Sequence, residues 1–284
     1  MIVIFGATGT IGTPLITALL AKGASLRAVT RDASRVAALE AQGCEAVVAD
    51  FDDPAALARA CEGAEKAFLV TPAHRDIRQW KANVIRAAAD AGVQHMVMAT
   101  GLGASPKARL TFGIWHSDSQ ELLKESGMGW TLIQPTYFMQ NLLWQAGNIA
   151  TENTYLDDLG GPVSWVDARD IADVTAKALT TEGHQGKAYG LTGDEALSGD
   201  DIAALLTQTL GRDITRRAVA PDEARANMIA SGMSAEVADA MTELAGLAPK
   251  GYLSGTETTV RDVLGRPARR FADFITENSS AFGG

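Results

Sequence analysis

The first twelve residues constrain this chain more than any other stretch of it. Ile2-Val3-Ile4-Phe5 is an unbroken apolar run, the pattern of a strand buried on both faces, and it passes directly into Gly6-Ala7-Thr8-Gly9-Thr10-Ile11-Gly12. Ile11, Leu15, Leu19 and Leu20 then recur at helical spacing as far as Gly23. Glycine at a strand-to-helix turn permits backbone angles that other residues resist, and it lets a diphosphate come close to the main chain. The helix start adds unpaired N–H groups and the positive end of its dipole. The spacing is GxxGxxG rather than GxGxxG, and a glycine triplet alone is weak evidence. Set after a first strand and before an amphipathic helix, it has the context of a dinucleotide-binding turn. We therefore expect Gly6, Thr8, Gly9, Thr10, Ile11 and Gly12 to hold such a cofactor.

The alternation continues through the first half of the chain. Leu26–Val29, Glu45–Ala49, Ala67–Val70, His95–Ala99 and Trp130–Ile133 read as strands. Between them run helical patterns: one through Val36 and Leu39, then Pro54–Cys61, Asp76–Ala91 and Ile114–Ser126. Strands separated by helices of this length pair in parallel through right-handed crossovers. The predicted fold is α/β, a doubly wound parallel sheet of Rossmann type with helices on both faces. We place a dinucleotide-binding domain at residues 1–150 and a smaller, mostly helical region at 151–284, over the open edge of the sheet. Within the latter, residues 163–192 are expected to return to the sheet, with strands at Val163–Val166 and Ala188–Leu191 about a helix over Asp170–Leu179. Further helices are predicted at Gly199–Leu210, Asp222–Ala230, Ala235–Leu244 and Phe271–Ile275. Met228, Met233 and Met241 lie among them, either walling a pocket or serving as plain core.

Composition removes several function classes. The 284 residues carry 25 Lys+Arg against 34 Asp+Glu, a formal charge of −9. Non-specific nucleic-acid affinity rests on clustered basic residues, so nucleic acid is not expected as a partner. Cys44 and Cys61 are the only cysteines, with no CxxC and no histidine at metal-ligand spacing. No disulfide framework or metal site is expected, and both thiols read as small buried hydrophobes. No apolar run reaches the roughly 18 residues of a membrane span, and Met1 runs straight into a core strand. The expectation is a soluble, cytoplasmic protein that does not bind membranes. Several helices offer apolar faces for a homo-oligomer, none of them self-evidently an interface.

The end of the second strand speaks to which dinucleotide is bound. An acidic residue there suits the ribose hydroxyls of NAD(H), whereas an arginine suits the 2′-phosphate of NADP(H). The chain reads Val29-Thr30-Arg31-Asp32-Ala33-Ser34-Arg35. Arg31, with Arg35 one turn on, favours NADP(H), with NAD(H) as the lesser alternative. Asp32 is better placed as a helix N-cap. After the third strand, Asp50 can reach the adenine amino group and Phe51 can lie against the ring. Thr71 and Pro72, and then Thr100 and Gly101, stand at the carboxyl edge of the sheet, where ligands of this architecture bind.

Taken in order, these segments resemble the NmrA-like members of the atypical short-chain dehydrogenase/reductases, and among them the NAD(P)H-dependent azo-dye and quinone reductases. The likeness runs through GATGTIG, VTRD, ADFDD, LVTP, MATGLGA and GMGWTLIQPTYFMQN to VSWVDARDIADV and LGRPARRFADF. It implies NAD(P) in the glycine loop, Arg31 near the 2′-phosphate, and substrate between the nicotinamide and the segment Pro135 to Asn141. It also implies, as a second reading, a dinucleotide-binding redox sensor that acts through a protein partner.

One departure bears on chemistry. Ordinary short-chain dehydrogenases carry Tyr-x-x-x-Lys on the helix after the fifth strand. Here the tyrosines stand at positions 137, 155, 189 and 252, and none is followed by lysine four residues later. The matching helix offers His116-Ser117-Asp118-Ser119-Gln120, with Thr100 as the available hydroxyl. Hydride transfer to an isolated ketone makes an alkoxide that needs a positioned acid. A quinone, an azo compound or a conjugated cation spreads the incoming charge, so orientation in a dry slot matters more than proton delivery. The expected function is an NADPH-dependent reductase of such a small aromatic acceptor, with no flavin. His116 and Gln120 share a helix face and are candidate orienting residues. Tyr137, Phe138, Asn141 and Trp165 are candidate substrate contacts.

Overall fold

A computed structural model describes residues 1–284. Nine strands run in chain order: β1 (Ile2–Phe5), β2 (Leu26–Thr30), β3 (Glu45–Val48), β4 (Lys66–Leu69), β5 (His95–Ala99), β6 (Gly129–Pro135), β7 (Thr154–Asp157), β8 (Lys187–Leu191) and β9 (Thr215–Ala218). The helices of the first half are α1 (Gly12–Leu20), α2 (Val36–Ala41), α3 (Pro54–Cys61), α4 (Ile77–Asp90) and α5 (Thr111–Glu125). Those of the second are α6 (Ala146–Glu152), α7 (Ala168–Thr180), α8 (Gly199–Leu210), α9 (Pro221–Ala230), α10 (Ala235–Ala245), α11 (Thr259–Leu264) and α12 (Phe271–Glu277). None is long and apolar enough to cross a membrane.

The chain divides into two compact units. The first comprises Met1–Arg109, Gly113–Pro135 and Ile171–Gly190. Its seven-stranded sheet has the order β3-β2-β1-β4-β5-β6-β8. Every pair from β3 across to β6 is parallel. β1 and β5 are buried along their whole length, as strands covered by helices on both faces must be. The order reverses between β1 and β4, which opens a crevice at their carboxyl ends. On one side of the sheet Leu57, Ala60, Trp80, Val84 and Ala88 of α3 and α4 pack on Val3, Phe5, Leu69 and Met96. Pro54 opens α3 behind an Asp53 cap, as the sequence suggests. Cys44 and Cys61 are both buried, and burial pushes the Cys61 thiol up to about 11.

The second unit comprises Leu110–Phe112, Thr136–Asp170 and Leu191–Gly284. Its core gathers Met139, Leu142, Ile149, Tyr155, Trp165, Leu206, Phe271 and Phe274. Because Met139, Leu142 and Ile149 pack here, the chain leaves the first unit at Pro135 instead of near residue 150. β7 and β9 form a small parallel sheet that the sequence reading did not include. The segment Val163–Val166 is no strand of the large sheet. It is buried as its apolar pattern requires, but its neighbours are loop segments. Only single bridges form, Val163 with Leu197 and Val166 with Phe138. α8 begins with a full capping box between Ser198 and Asp201.

The glycine loop divides by what each position tolerates. Gly6 has φ +83°, and a Cβ there would fall 2.5 Å from Val70 Cγ1 at the end of β4. A Cβ on Gly12 would fall 2.1 Å from the Gly6 carbonyl oxygen, whereas one on Gly9 would meet only that same oxygen at 3.3 Å. Gly12→Ala is therefore expected to cost at least about 1–3 kcal/mol through overpacking, and Gly9→Ala well under about 1 kcal/mol. Urea denaturation of the two variants tests this. Equal midpoints would show that the loop, and not the side chain, gives way.

Candidate functional site

The glycine loop lies at the crevice between the carboxyl ends of β1 and β4. Gly6 and Gly12 are required by packing alone, but Gly9 is exposed between exposed Thr8 and Thr10. A side chain there would meet one neighbouring atom, the Gly6 carbonyl oxygen, and otherwise open space. Ile11 is buried and leads into α1, whose first turn has no side-chain cap. In that turn the Thr13 N–H donates to the Gly9 carbonyl at 3.0 Å and Pro14 has no N–H, so the Gly12 N–H, with the helix dipole behind it, is the group that points to an anion. Across the crevice, at the end of β4, Thr71 Oγ1 is buried and has no hydrogen-bond partner. A buried hydroxyl left unpaired is uncommon and asks for a ligand or water. Pro72 beside it is exposed. The bare glycine, the uncapped helix and the orphaned hydroxyl all fit a bound dinucleotide.

The ends of β2 and β3 lie on the same side of the switch point. Asp32 is a cap, as its position suggested. Its carboxylate accepts from the Ser34 backbone N–H at 2.9 Å and the Ser34 hydroxyl at 2.6 Å. Those bonds hold it below the usual carboxylate range. Arg31 is exposed, and its guanidinium carbon lies 6.0 Å from the centroid of the Trp80 ring. Arg35 is exposed too, 3.8 Å from Asp32 Oδ2. Asp50 is exposed after β3, where its carboxylate accepts from the Asp52 N–H. Phe51 differs from expectation: only 6% exposed, it packs in the core 5.7 Å from Trp80. The aromatic surface here belongs instead to His74, stacked on Trp80 at 4.3 Å and 11°. Trp80 is itself fixed by donating to Asp52 Oδ2 at 2.9 Å. Neither His74 nor Trp80 was singled out from sequence, because a tryptophan at a buried helix position reads as core.

At the end of β5 the structure separates two residues that sequence treated alike. Gln120 is buried, and its amide donates to Thr100 Oγ1 at 3.0 Å. Thr100 is buried as well, and its hydroxyl points to the Ile133 carbonyl at 3.4 Å. These bonds join α5 to the ends of β5 and β6. His116 is different. It is half-buried against Gly101, where a Cβ would come 3.2 Å from His116 Cδ2 and 3.6 Å from Nε2. Its Nδ1 lies 3.2 Å from Lys81 Nζ. Lys81, on α4, has no exposed surface and donates to the Ala99 carbonyl at 2.9 Å. Burial pulls the Lys81 ammonium down to about 7. Burial, and then the Lys81 charge, hold His116 well below its ordinary value.

The second unit carries the other candidates. Tyr137 and Trp165 meet edge-on at 5.6 Å, and Trp165 meets Phe271 likewise. Tyr137 and Phe138 are half-buried, and Val166 donates its N–H to the Tyr137 carbonyl. Asn141 is half-buried in the 3₁₀ turn Met139–Gln145, its N–H on the Phe138 carbonyl. Burial, helped by Asp158, raises the Tyr137 phenol, so it stays neutral. A cavity of about 230 Å³ is lined by Met139, Trp165, Glu195 and Phe271 among others. Trp165 Nε1 and Glu195 Oε1 there lack partners. Met228, Met233 and Met241 are half-buried and line no part of it.

Known proteins share this architecture from end to end. An NAD(P)H azoreductase of Xenophilus azovorans is 44% identical over 284 residues, covering 100% of this chain and 99% of that protein. The (4-alkanoyl-5-oxo-2,5-dihydrofuran-3-yl)methyl phosphate reductase of Streptomyces griseus is 34% identical, over 99% of each. The crystal structure of an NADPH-dependent quinone oxidoreductase of Escherichia coli complexed with NADPH superposes with a TM-score of 0.87 at 28% identity. It covers 98% of this chain and 99% of its own. Residues 1–263 match the NmrA-like family. The chain belongs to the NmrA-like family.

Proposed function

We propose that this protein is an NADPH-dependent oxidoreductase that reduces a flat conjugated acceptor of quinone or azo type. The observation that carries the reading is the bare cradle at Gly9, in a chain 44% identical from end to end to an NAD(P)H azoreductase. When bound, the dinucleotide supplies a hydride directly, and the scheme requires no flavin or metal. Gly6, Thr8, Gly9, Thr10, Ile11 and Gly12 hold the diphosphate, and Thr71 offers its unpaired hydroxyl. Tyr137, Phe138, Asn141 and Trp165 are the proposed acceptor contacts. On a quinone, the negative charge left by hydride addition spreads over the ring and its oxygens and makes only a weak base. The residues around the acceptor then act mainly by orientation and exclusion of water.

NADPH is the preferred form. Supporting this, Arg31 is exposed and its guanidinium lies over the Trp80 ring, while Oδ1 of Asp32 accepts both bonds from Ser34. A guanidinium can grip a phosphate through two bonds at once, each charge-assisted and worth about 1.5–3 kcal/mol. That corresponds to a preference of roughly ten- to hundredfold if one bond dominates. Arg31→Ala is expected to raise the NADPH Michaelis constant by that factor and leave NADH nearly unchanged. Trp80→Leu should show a weaker form of the same selective loss. Fluorescence titration of both coenzymes into wild type checks the premise, and equal affinities would overturn it.

The activity itself is read by NADPH oxidation across a small panel of quinones and azo dyes. Turnover is expected with members of the panel. With a quinone, His116→Ala is expected to lower the rate about tenfold, less than the hundredfold or more usual for an obligatory acid. If NADPH binds but no acceptor on the panel is reduced, the reductase reading fails. The protein would then be a dinucleotide-binding sensor.

A further inference from the structure

Lys81 is the largest charge problem in the first unit. Its side chain has no solvent exposure, and its hydrogen-bond partners are the Ala99 carbonyl oxygen and the His116 imidazole nitrogen. No carboxylate stands within ion-pair distance, and burial alone accounts for its shift. Stranding an ammonium away from water without a counter-ion is costly, and a fold that needed only an anchor could use an uncharged side chain. Asp118, two residues along α5 from His116, is turned to Arg78 at 2.5 Å. The charge that acts on His116 is Lys81 itself.

The geometry fixes the imidazole. As an ammonium, Lys81 Nζ can only donate, so in that form Nδ1 of His116 receives its hydrogen bond and the ring proton sits on Nε2. Nε2 is the ring nitrogen that faces Gly101, just beyond the carboxyl end of β5. Ligands of this fold bind along that edge of the sheet.

We propose that Lys81 and His116 form a two-residue proton relay, in which His116 Nε2 gives its proton to the newly reduced acceptor beside Gly101 and Lys81 replaces it through Nδ1. Resting on the reductase reading, the proposal adds to it the source of the second hydrogen. The acceptor gains a hydride from the reduced dinucleotide and so carries a negative charge. The Nε2–H bond breaks and an O–H or N–H bond forms on the product. At the same moment a Lys81 Nζ–H bond breaks and an Nδ1–H bond forms, leaving neutral lysine and the opposite imidazole tautomer. Solvent returns one proton to Nε2 after product leaves, and Nδ1 returns its own to Lys81. One acceptor, one hydride and one proton are consumed. Lys81 needs no water channel of its own, because the same path recharges it.

Demand for that proton depends on the acceptor. A hydroquinone anion is a weak base, whereas hydride addition to an N=N bond leaves charge on nitrogen, a much stronger one. The relay should therefore matter little for quinones and greatly for azo compounds, with the sign set by Lys81. The ammonium form is the loaded one, and it is lost as pH rises through about 7.

The first test uses the cofactor-free protein. Histidine-selective ¹⁵N NMR is expected to show His116 neutral from pH 5 to 8, protonated on Nε2, with Nδ1 a hydrogen-bond acceptor. Lys81→Met should abolish that tautomer preference, and Lys81→Arg should retain it. The second test is single-turnover reduction from pH 6 to 9. For an azo dye, the wild-type rate should fall about tenfold per pH unit above 7. Both variants should be flat with pH and roughly a hundredfold slower at pH 6.5, since an arginine holds the imidazole but gives up no proton. With a quinone, all three should agree within about tenfold. An Nδ1–H tautomer in wild type overturns the relay whether or not the variants fold. So does an azo rate in Lys81→Met within threefold of wild type with the same pH profile. Failure of wild type to reduce any acceptor strikes the reductase reading instead, because the NMR result still reports on the pair.

Discussion

What the first unit can bind depends on how closely β1 and β4 meet at their carboxyl ends. The main chain at Gly6 comes so near Val70 that even a methyl group does not fit. That approach sets the direction of the loop, and through Gly12, packed on the Gly6 carbonyl, the direction of α1. The helix start then faces the crevice at the switch point of the sheet. Because the contact is backbone against backbone, it has little slack, and a site for a diphosphate needs such rigidity. Gly9 is under a weaker constraint, since a Cβ there would meet only the Gly6 carbonyl oxygen, at 3.3 Å.

A second consequence of the sheet is the dryness at the end of β5. Five consecutive buried residues carry the strand to Ala99, with α4 and α5 from the same unit nearby. Here Gln120 and Thr100 spend their polar atoms on each other and on the Ile133 carbonyl. Paired in this way they tie α5 to the end of the sheet. Lys81 and His116, in the same region, keep a donor and an acceptor in contact, and no carboxylate pairs with the ammonium of Lys81. Low polarity strengthens both arrangements.

The glycine loop, the strand alternation and the Asp32 cap were legible in the sequence because each depends on residues within a few positions of one another. Val163–Val166 misled because a buried apolar run looks the same whether a strand or a loop lies beside it. β7 and β9 escaped notice for a related reason: four-residue strands that pair across some sixty residues leave no local mark. Phe51 follows β3 as read, but its burial beside Trp80 was not legible, since that contact comes from α4, far along the chain. Lys81 did leave a signal. With Val84, Ile85 and Ala88 it occupies positions i, i+3, i+4 and i+7 of one helix stripe, all buried. A lysine on the apolar face of an amphipathic helix is the kind of local conflict that function tends to create.

The same burial that makes Lys81 costly at rest gives the proposed relay its direction. A neutral imidazole is a very weak acid by itself, so Nε2–H yields its proton only if Nδ1 is supplied with another. An ammonium in water would supply it reluctantly, being several pH units more basic than imidazole. Desolvation narrows that gap by penalising the charged form of lysine. When the proton moves outward, the buried position goes from charged to neutral, and the strain of holding an unpaired ammonium among α4, β5 and α5 is released. Ordinary short-chain dehydrogenases join their lysine to a tyrosine on one helix. In this chain the lysine stands on α4 and its partner on α5, so the pair is assembled by the packing of two helices on the end of β5. A pair made that way leaves no four-residue motif in the sequence, and its alignment depends on the packing of both helices against the strand.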